Sequence, residues 1–173
     1  MIFLRHPTPD VERGVCYGRL DLGLGPAASM EIAAVLTQLP SVRRLYSSPA
    51  TRCLKLAEAI VEAHEVDLHC DDRLQELDFG HWEGRRWDEI DRAESDFWTS
   101  DPVNRRPPGG ESFTEMSGRV LAALAEIDSD SVIITHAGPV RVARIAYLGQ
   151  SFEEAFATPV PYATPIHLAH EIV

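Results

Sequence analysis

Short apolar runs alternate along this chain with stretches whose apolar residues recur every three or four positions. Ile2-Phe3-Leu4 and Val132-Ile133-Ile134 are short, bounded runs rich in β-branched and aromatic residues, as buried strands should be. Between them, Ile32, Val35, Leu36 and Leu39 mark a helix over about 27–39. Leu54, Ala57, Ile60 and Val61 mark a second helix, which Ser48-Pro49 is expected to open with a serine cap and a first-turn proline. Phe113, Met116, Val120, Leu124 and Ile127 mark a third. Further strands are expected over 44–47, 66–70 and 166–172, a helix near Trp87 to Phe97, and another from His136 to Leu148. Strands separated by helices pair in parallel, and a parallel sheet is covered on both faces. The expected fold is α/β: a three-layer α/β/α sandwich with a mostly parallel central sheet. At 173 residues, without repeats or low-complexity segments, it is expected to form a single domain over 1–173.

Two of these strands end alike, Leu4-Arg5-His6 and Ile134-Thr135-His136. In a parallel sheet both histidines emerge at the carboxyl edge, where α/β folds bind their ligands. A third strand ends at Ser47-Ser48, and Arg52 follows in the first turn of a helix whose free N–H groups favour an anion. Arginine recognises an oxyanion with a planar fork, and histidine can attack phosphorus or shuttle protons. Two arginines, two histidines and a helix start therefore point to a phosphoryl clamp.

Composition narrows the setting. A net charge of −11 argues against nucleic-acid and membrane-surface partners, which need a basic face. It also means that an anionic substrate needs a local cationic pocket. Fifteen of the sixteen basic residues are arginine, Lys55 being the exception. No apolar run approaches the roughly 20 residues of a membrane span, and Arg5 and His6 interrupt the only apolar start, so no secretory leader is expected. Three cysteines without Cys-x-x-Cys spacing suggest reduced thiols and a cytoplasmic protein, with no zinc site. His64, His69, His81, His167 and His170 read as surface or packing residues. Trp82, Trp87, Phe97 and Trp98 gather in one long irregular segment, which is expected to turn at least one of them toward the substrate.

Five blocks in order carry a resemblance: Leu4-Arg5-His6; Ser47-Ser48-Pro49 with Arg52; Leu74-x-Glu76-x-x-x-Gly80-x-Trp82-Glu83-Gly84; Gly109-Gly110-Glu111-Ser112; and Thr135-His136-Ala137-Gly138. Together the chain resembles the histidine phosphatase (phosphoglycerate mutase-like) superfamily. The segment Gly14 to Asp21 and Pro107 to Ser112 look most like its α-ribazole phosphatase branch.

The resemblance implies a phosphoglycerate mutase-like fold and hydrolysis of a small-molecule phosphate ester, α-ribazole 5′-phosphate in cobalamin assembly being the first expectation. A broad-specificity phosphatase, a phosphoglycerate mutase and a non-catalytic phosphate-binding domain remain as alternatives. By the same resemblance His6 is the nucleophile, while Arg5, Arg52 and His136 bind the phosphoryl oxygens. Glu76 is the general acid and base; Asp78 and Glu83 compete for that role on residue type alone. Tyr17, Gly18 and Arg19 contact the rest of the substrate, and main-chain N–H groups at Ala137 and Gly138 face the phosphate. No metal or cofactor is required, because the arginines neutralise the charge. One departure stands out: the family's usual glycine after the catalytic histidine is Pro7.

Overall fold

In the computed structural model, which describes residues 1–168, the five strands form one sheet in the order β3-β2-β4-β1-β5. β1 (Ile2–Arg5) and β4 (Val132–Thr135) are adjacent and parallel, β2 (Leu45–Ser47) runs parallel to β4 on its other side, and β3 (Leu68–Cys70) is parallel to β2. β5 (Pro165–His167) is the antiparallel exception, paired with β1. The sheet is thus mostly parallel, as the strand–helix alternation requires. The last strand expected over 166–172 is realised only in part; residues 169–172, with His170, lie outside those described.

Side-chain alternation along the central strands builds a core on each face. Phe3 and Ile133 point to one side, where they meet Met116, Val120 and Leu124 of α4 (Phe113–Leu124) and Val140 and Ala143 of α5 (Ala137–Leu148). Leu4, Leu45, Val132 and Ile134 point to the other, against Val35 of α1 (Ala28–Gln38) and Leu56 and Ile60 of α2 (Thr51–His64). Such runs cannot be amphipathic, because both faces of the strand are dry. Each fully buried side chain of this size contributes about 1.5–3 kcal/mol. The helices of the two layers hold the sheet's carboxyl edge rigid.

Local chemistry sets the helix ends. Ser112 and Glu115 form a reciprocal capping box at the start of α4, and Ser151 and Glu154 form another at the start of α6 (Phe152–Ala157). α5 stops at Gly149, whose φ of 63° is left-handed. Two expectations need correction. Ser48 does not cap α2; the helix begins at Thr51, and the Thr51 backbone N–H and hydroxyl both donate to the Asp21 carboxylate at 2.9 and 2.6 Å. A residue thirty positions away has taken the cap's place, while the Ser48 hydroxyl accepts from the Ala50 amide at 3.4 Å and meets His136 Nε2 at 2.8 Å. The helix expected near Trp87 to Phe97 starts later, as α3 (Arg92–Thr99), because the Asp91 side chain accepts from the amides of Ala93 and Glu94. No helix among the described residues is long and apolar enough to cross a membrane.

Candidate active site

The register of β1 and β4 brings the two histidines together. Arg5 lies opposite Thr135, the His6 amide donates to the Thr135 carbonyl at 3.0 Å, and the imidazoles of His6 and His136 meet edge-on with centroids 5.1 Å apart. The same hydrogen-bonding logic places Ser48, whose amide donates to Ile134 O at 2.9 Å. Three strand ends therefore deliver His6, His136 and Ser48 to one spot.

Each ring's tautomer follows from its partners. His6 Nδ1 is 2.7 Å from the Pro7 carbonyl, which can only accept, so Nδ1 carries the proton and Nε2 keeps its lone pair. His136 Nδ1 faces Nη2 of Arg52 at 3.2 Å; a guanidinium can only donate, so here Nδ1 accepts and Nε2–H points to the Ser48 hydroxyl at 2.8 Å. Both histidines are almost wholly buried. Burial first, and the positive charges of Arg52 and Arg5 second, push the His6 pKa down to about 3. Burial, His6 and the same arginines hold His136 well below the usual histidine range.

The arginines are held by backbone carbonyls instead of carboxylates. Arg52, fully buried, donates from Nη1 to Leu20 O at 2.8 Å and from Nη2 to Gly18 O at 2.5 Å. Arg5 donates from Nη1 to Val160 O at 2.8 Å and lies over the Tyr162 ring at 3.7 Å. Among the described residues neither forms an ion pair with a carboxylate, and Nε of each is buried without a partner. A buried and a half-buried cation without a counter-ion, beside a neutral imidazole with a free lone pair, form a receptor for an anion.

The chain matches the model of the histidine phosphatase superfamily (branch 1) over residues 1–171. It belongs to that family. Among similar histidine phosphatases and mutases, phosphoserine phosphatase 1 of Hydrogenobacter thermophilus is 32% identical over 161 residues, covering 86% of this chain and 76% of that one. The 2,3-bisphosphoglycerate-dependent phosphoglycerate mutase of Thermoplasma acidophilum is 25% identical over 167 residues, 94% of this chain and 83% of its own. The α-ribazole phosphatase of Shigella flexneri superposes with a TM-score of 0.86 at 20% identity, covering 95% and 87% of the two chains, which shows the shared fold.

Within this histidine phosphatase, the Glu76 side chain reaches from its loop to the start of α5, where Gly138 lies two residues past His136. Its carboxylate accepts from the Gly138 amide at 3.0 and 3.2 Å and from the Leu77 amide at 3.0 Å. A Cβ on Gly138 would collide with Glu76 Oε1, so only glycine admits this contact. The amide expected to face phosphate thus holds Glu76 here. The two competing carboxylates are occupied elsewhere: Glu83 accepts from the amides of Arg19, Leu20 and Phe79, and Asp78 from that of Gly80.

The other expected contacts divide. Tyr17 lies 5.6 Å from the Arg52 guanidinium, and Gly18 gives Arg52 its carbonyl, at a place where a Cβ would strike Leu77 O. Ala137 is buried at the first turn of α5. Arg19 is exposed, and its guanidinium is drawn to Glu111 at 3.3 Å and Asp78 at 3.8 Å. The aromatic gathering packs on itself: Trp82, Trp87, Trp98 and Phe79 meet with centroids 5.4–6.4 Å apart, and Trp82 is fully buried. The ring that does lie against His6, with centroids 5.5 Å apart, is Tyr162, whose hydroxyl is 2.9 Å from that of Tyr17. Sequence reasoning missed Tyr162. Its signal was the direction of β5: an antiparallel strand begins at the edge where parallel strands end, so the residues just before it reach the site.

Proposed function

We propose that this chain is a phosphomonoesterase that passes the phosphoryl group of a small-molecule ester through His6 to water. The observation that carries this reading is the neutral His6, with Nε2 free, beside the buried Arg52 and the half-buried Arg5, neither of which has a carboxylate partner. In the first step the Nε2 lone pair attacks phosphorus, the P–O ester bond breaks, and the departing alkoxide takes the proton of the Glu76 carboxyl. Arg5 and Arg52 neutralise the charge that develops on the phosphoryl oxygens. In the second step Glu76 removes a proton from water, the oxygen attacks phosphorus, the N–P bond breaks, and His6 is restored. A reducing, cytoplasmic compartment suits the three free cysteines, of which Cys16 and Cys53 are buried.

For the alcohol, α-ribazole is the first assignment. A cavity of about 280 Å³ adjoins the two tyrosines; Tyr17, Tyr162, Val11, Val15 and Pro9 form its apolar wall, and Thr8, Glu12 and Arg13 its polar one. The two tyrosine rings and the aliphatic wall support a nucleoside-like heterocycle, while Glu12 and Arg13 in the same lining would also suit a zwitterion. Similarity to a phosphoserine phosphatase supports phosphoserine as the second reading. A phosphate-release screen over α-ribazole 5′-phosphate, phosphoserine, 3-phosphoglycerate, sugar phosphates and nucleotides tests both. The first reading requires the highest kcat/KM on α-ribazole 5′-phosphate, and preference for phosphoserine would replace it. No turnover of any ester, with phosphate still bound, would mark a non-catalytic binding domain.

A further inference from the structure

We propose that Arg119 and Glu111 are positioning residues which set Glu76 against the leaving group; this rests on the reading of Glu76 as the general acid. Between Gln75 and Phe79 the chain has no helix or strand to fix it. The acid's backbone is held from α4 instead. Arg119 Nη1 donates to the carbonyls of Arg73 and Gln75, both at 2.7 Å, and Nη2 donates to the carbonyl of Glu76 itself at 2.9 Å. The remaining Nη2 proton and Nε–H go to the Glu111 carboxylate at 2.5 and 3.1 Å. All five donors of the guanidinium are thereby used, three on the acid's loop and two on its own counter-ion.

Glu111 completes the grip. Its Oε1 also accepts from the Asp78 amide at 3.0 Å, on the far side of Glu76, and from Arg19 Nη2 at 3.3 Å. The pair thus fastens the loop before, at and after the acid, and ties it to the Gly18–Arg19 segment that feeds Arg52 its carbonyl. Neither residue touches the Glu76 carboxylate, which is held by Gly138 and Leu77. Their action is to place the carboxyl, and the side chains of both are less than one-fifth exposed, so the grip is not loosened by solvent. Lysine cannot replace Arg119, because three donors on a point charge cannot span three carbonyls and a carboxylate.

An acid is needed only when the leaving alcohol is a poor one, and that gives the test. The kcat/KM of the wild type, Glu76→Gln, Arg119→Lys and Glu111→Gln is measured on an alkyl ester, phosphoserine, and on 2,4-dinitrophenyl phosphate, whose leaving group departs without a proton. A misplaced acid costs Arg119→Lys about 100-fold on the alkyl ester and less than about threefold on the dinitrophenyl ester. Equal losses on both esters would overturn the proposal, since general damage to the site does not distinguish leaving groups. Glu76→Gln is the internal control: if its own loss does not depend on the leaving group, the acid assignment fails and not the positioning. Should Arg119→Lys fail to fold, Glu111→Gln reads the same contrast while leaving the guanidinium on its three carbonyls.

Discussion

His6 Nδ1 donates to the carbonyl of Pro7, the next residue in the chain, at 2.7 Å. The contact uses the one polar backbone group that proline keeps, so the departure from the family's glycine leaves the nucleophile's orientation intact. Pro7→Gly should therefore keep kcat/KM within about threefold, a change smaller than the loss of one hydrogen bond. His6→Ala should abolish turnover of p-nitrophenyl phosphate and eliminate the covalent adduct. That adduct, trapped from the wild type, should be acid-labile and base-stable as a phosphoramidate is. An acid-stable adduct would assign the attack to another group.

Arg52 offers a sharper substitution than its charge suggests. Its two terminal nitrogens hold Leu20 O, Gly18 O and His136 Nδ1 together. Lysine preserves the charge but not the fork. Arg52→Lys should lower kcat/KM by about 10²–10³, the size of one lost oxyanion donor, with KM rising as the phosphate loses its partner. Activity within a few-fold of wild type would show that charge alone suffices.

Gly138→Ala should disarm the acid without unfolding the chain. The new methyl would fall on Glu76 Oε1 and press on the Met116 side chain, both ends of flexible groups that can swing away. Displacing the carboxylate should cost about 10²-fold in kcat/KM on alkyl esters. Thermal melting should stay near the wild-type value. A collapse in melting temperature would mean that the helix start had moved instead.

Stability should fall in mild acid because of His6. The folded chain refuses a proton until about pH 3, whereas an unfolded imidazole takes one near its ordinary 6.5. The unfolded state thus binds more protons throughout that window, so stability is full above pH 6.5 and declines as pH drops. At pH 4.5 the linkage amounts to about 3 kcal/mol. His136 shifts in the same direction but is present in both proteins of the comparison. Urea unfolding of wild type and His6→Asn at pH 7 and 4.5 should show the wild type losing more; equal losses would contradict a buried neutral His6.

Much of the site was readable in the chain because backbone pattern alone implies it. The runs ending Arg5-His6 and Thr135-His136 had to be strands, parallel strands share an edge, and Arg52, five residues past the strand end at Ser47, falls in the first turn of a helix. Asp21 as the cap of α2 was not readable, since its partnership with Thr51 spans a loop whose path depends on everything packed beneath it. Nor was the self-packing of Trp82, Trp87 and Trp98, because an aromatic residue suits a core and a pocket wall equally well.

The sequence by itself determined the layers, the strand direction at the centre and the chemistry gathered at one edge, because hydrophobic period and strand length are local properties. Only the tertiary structure decided which carboxylate meets Gly138, which ring covers Arg5 and which tautomer each histidine adopts. Those are matters of ångström-scale contact between distant segments, and contact geometry is fixed by packing rather than by spacing along the chain.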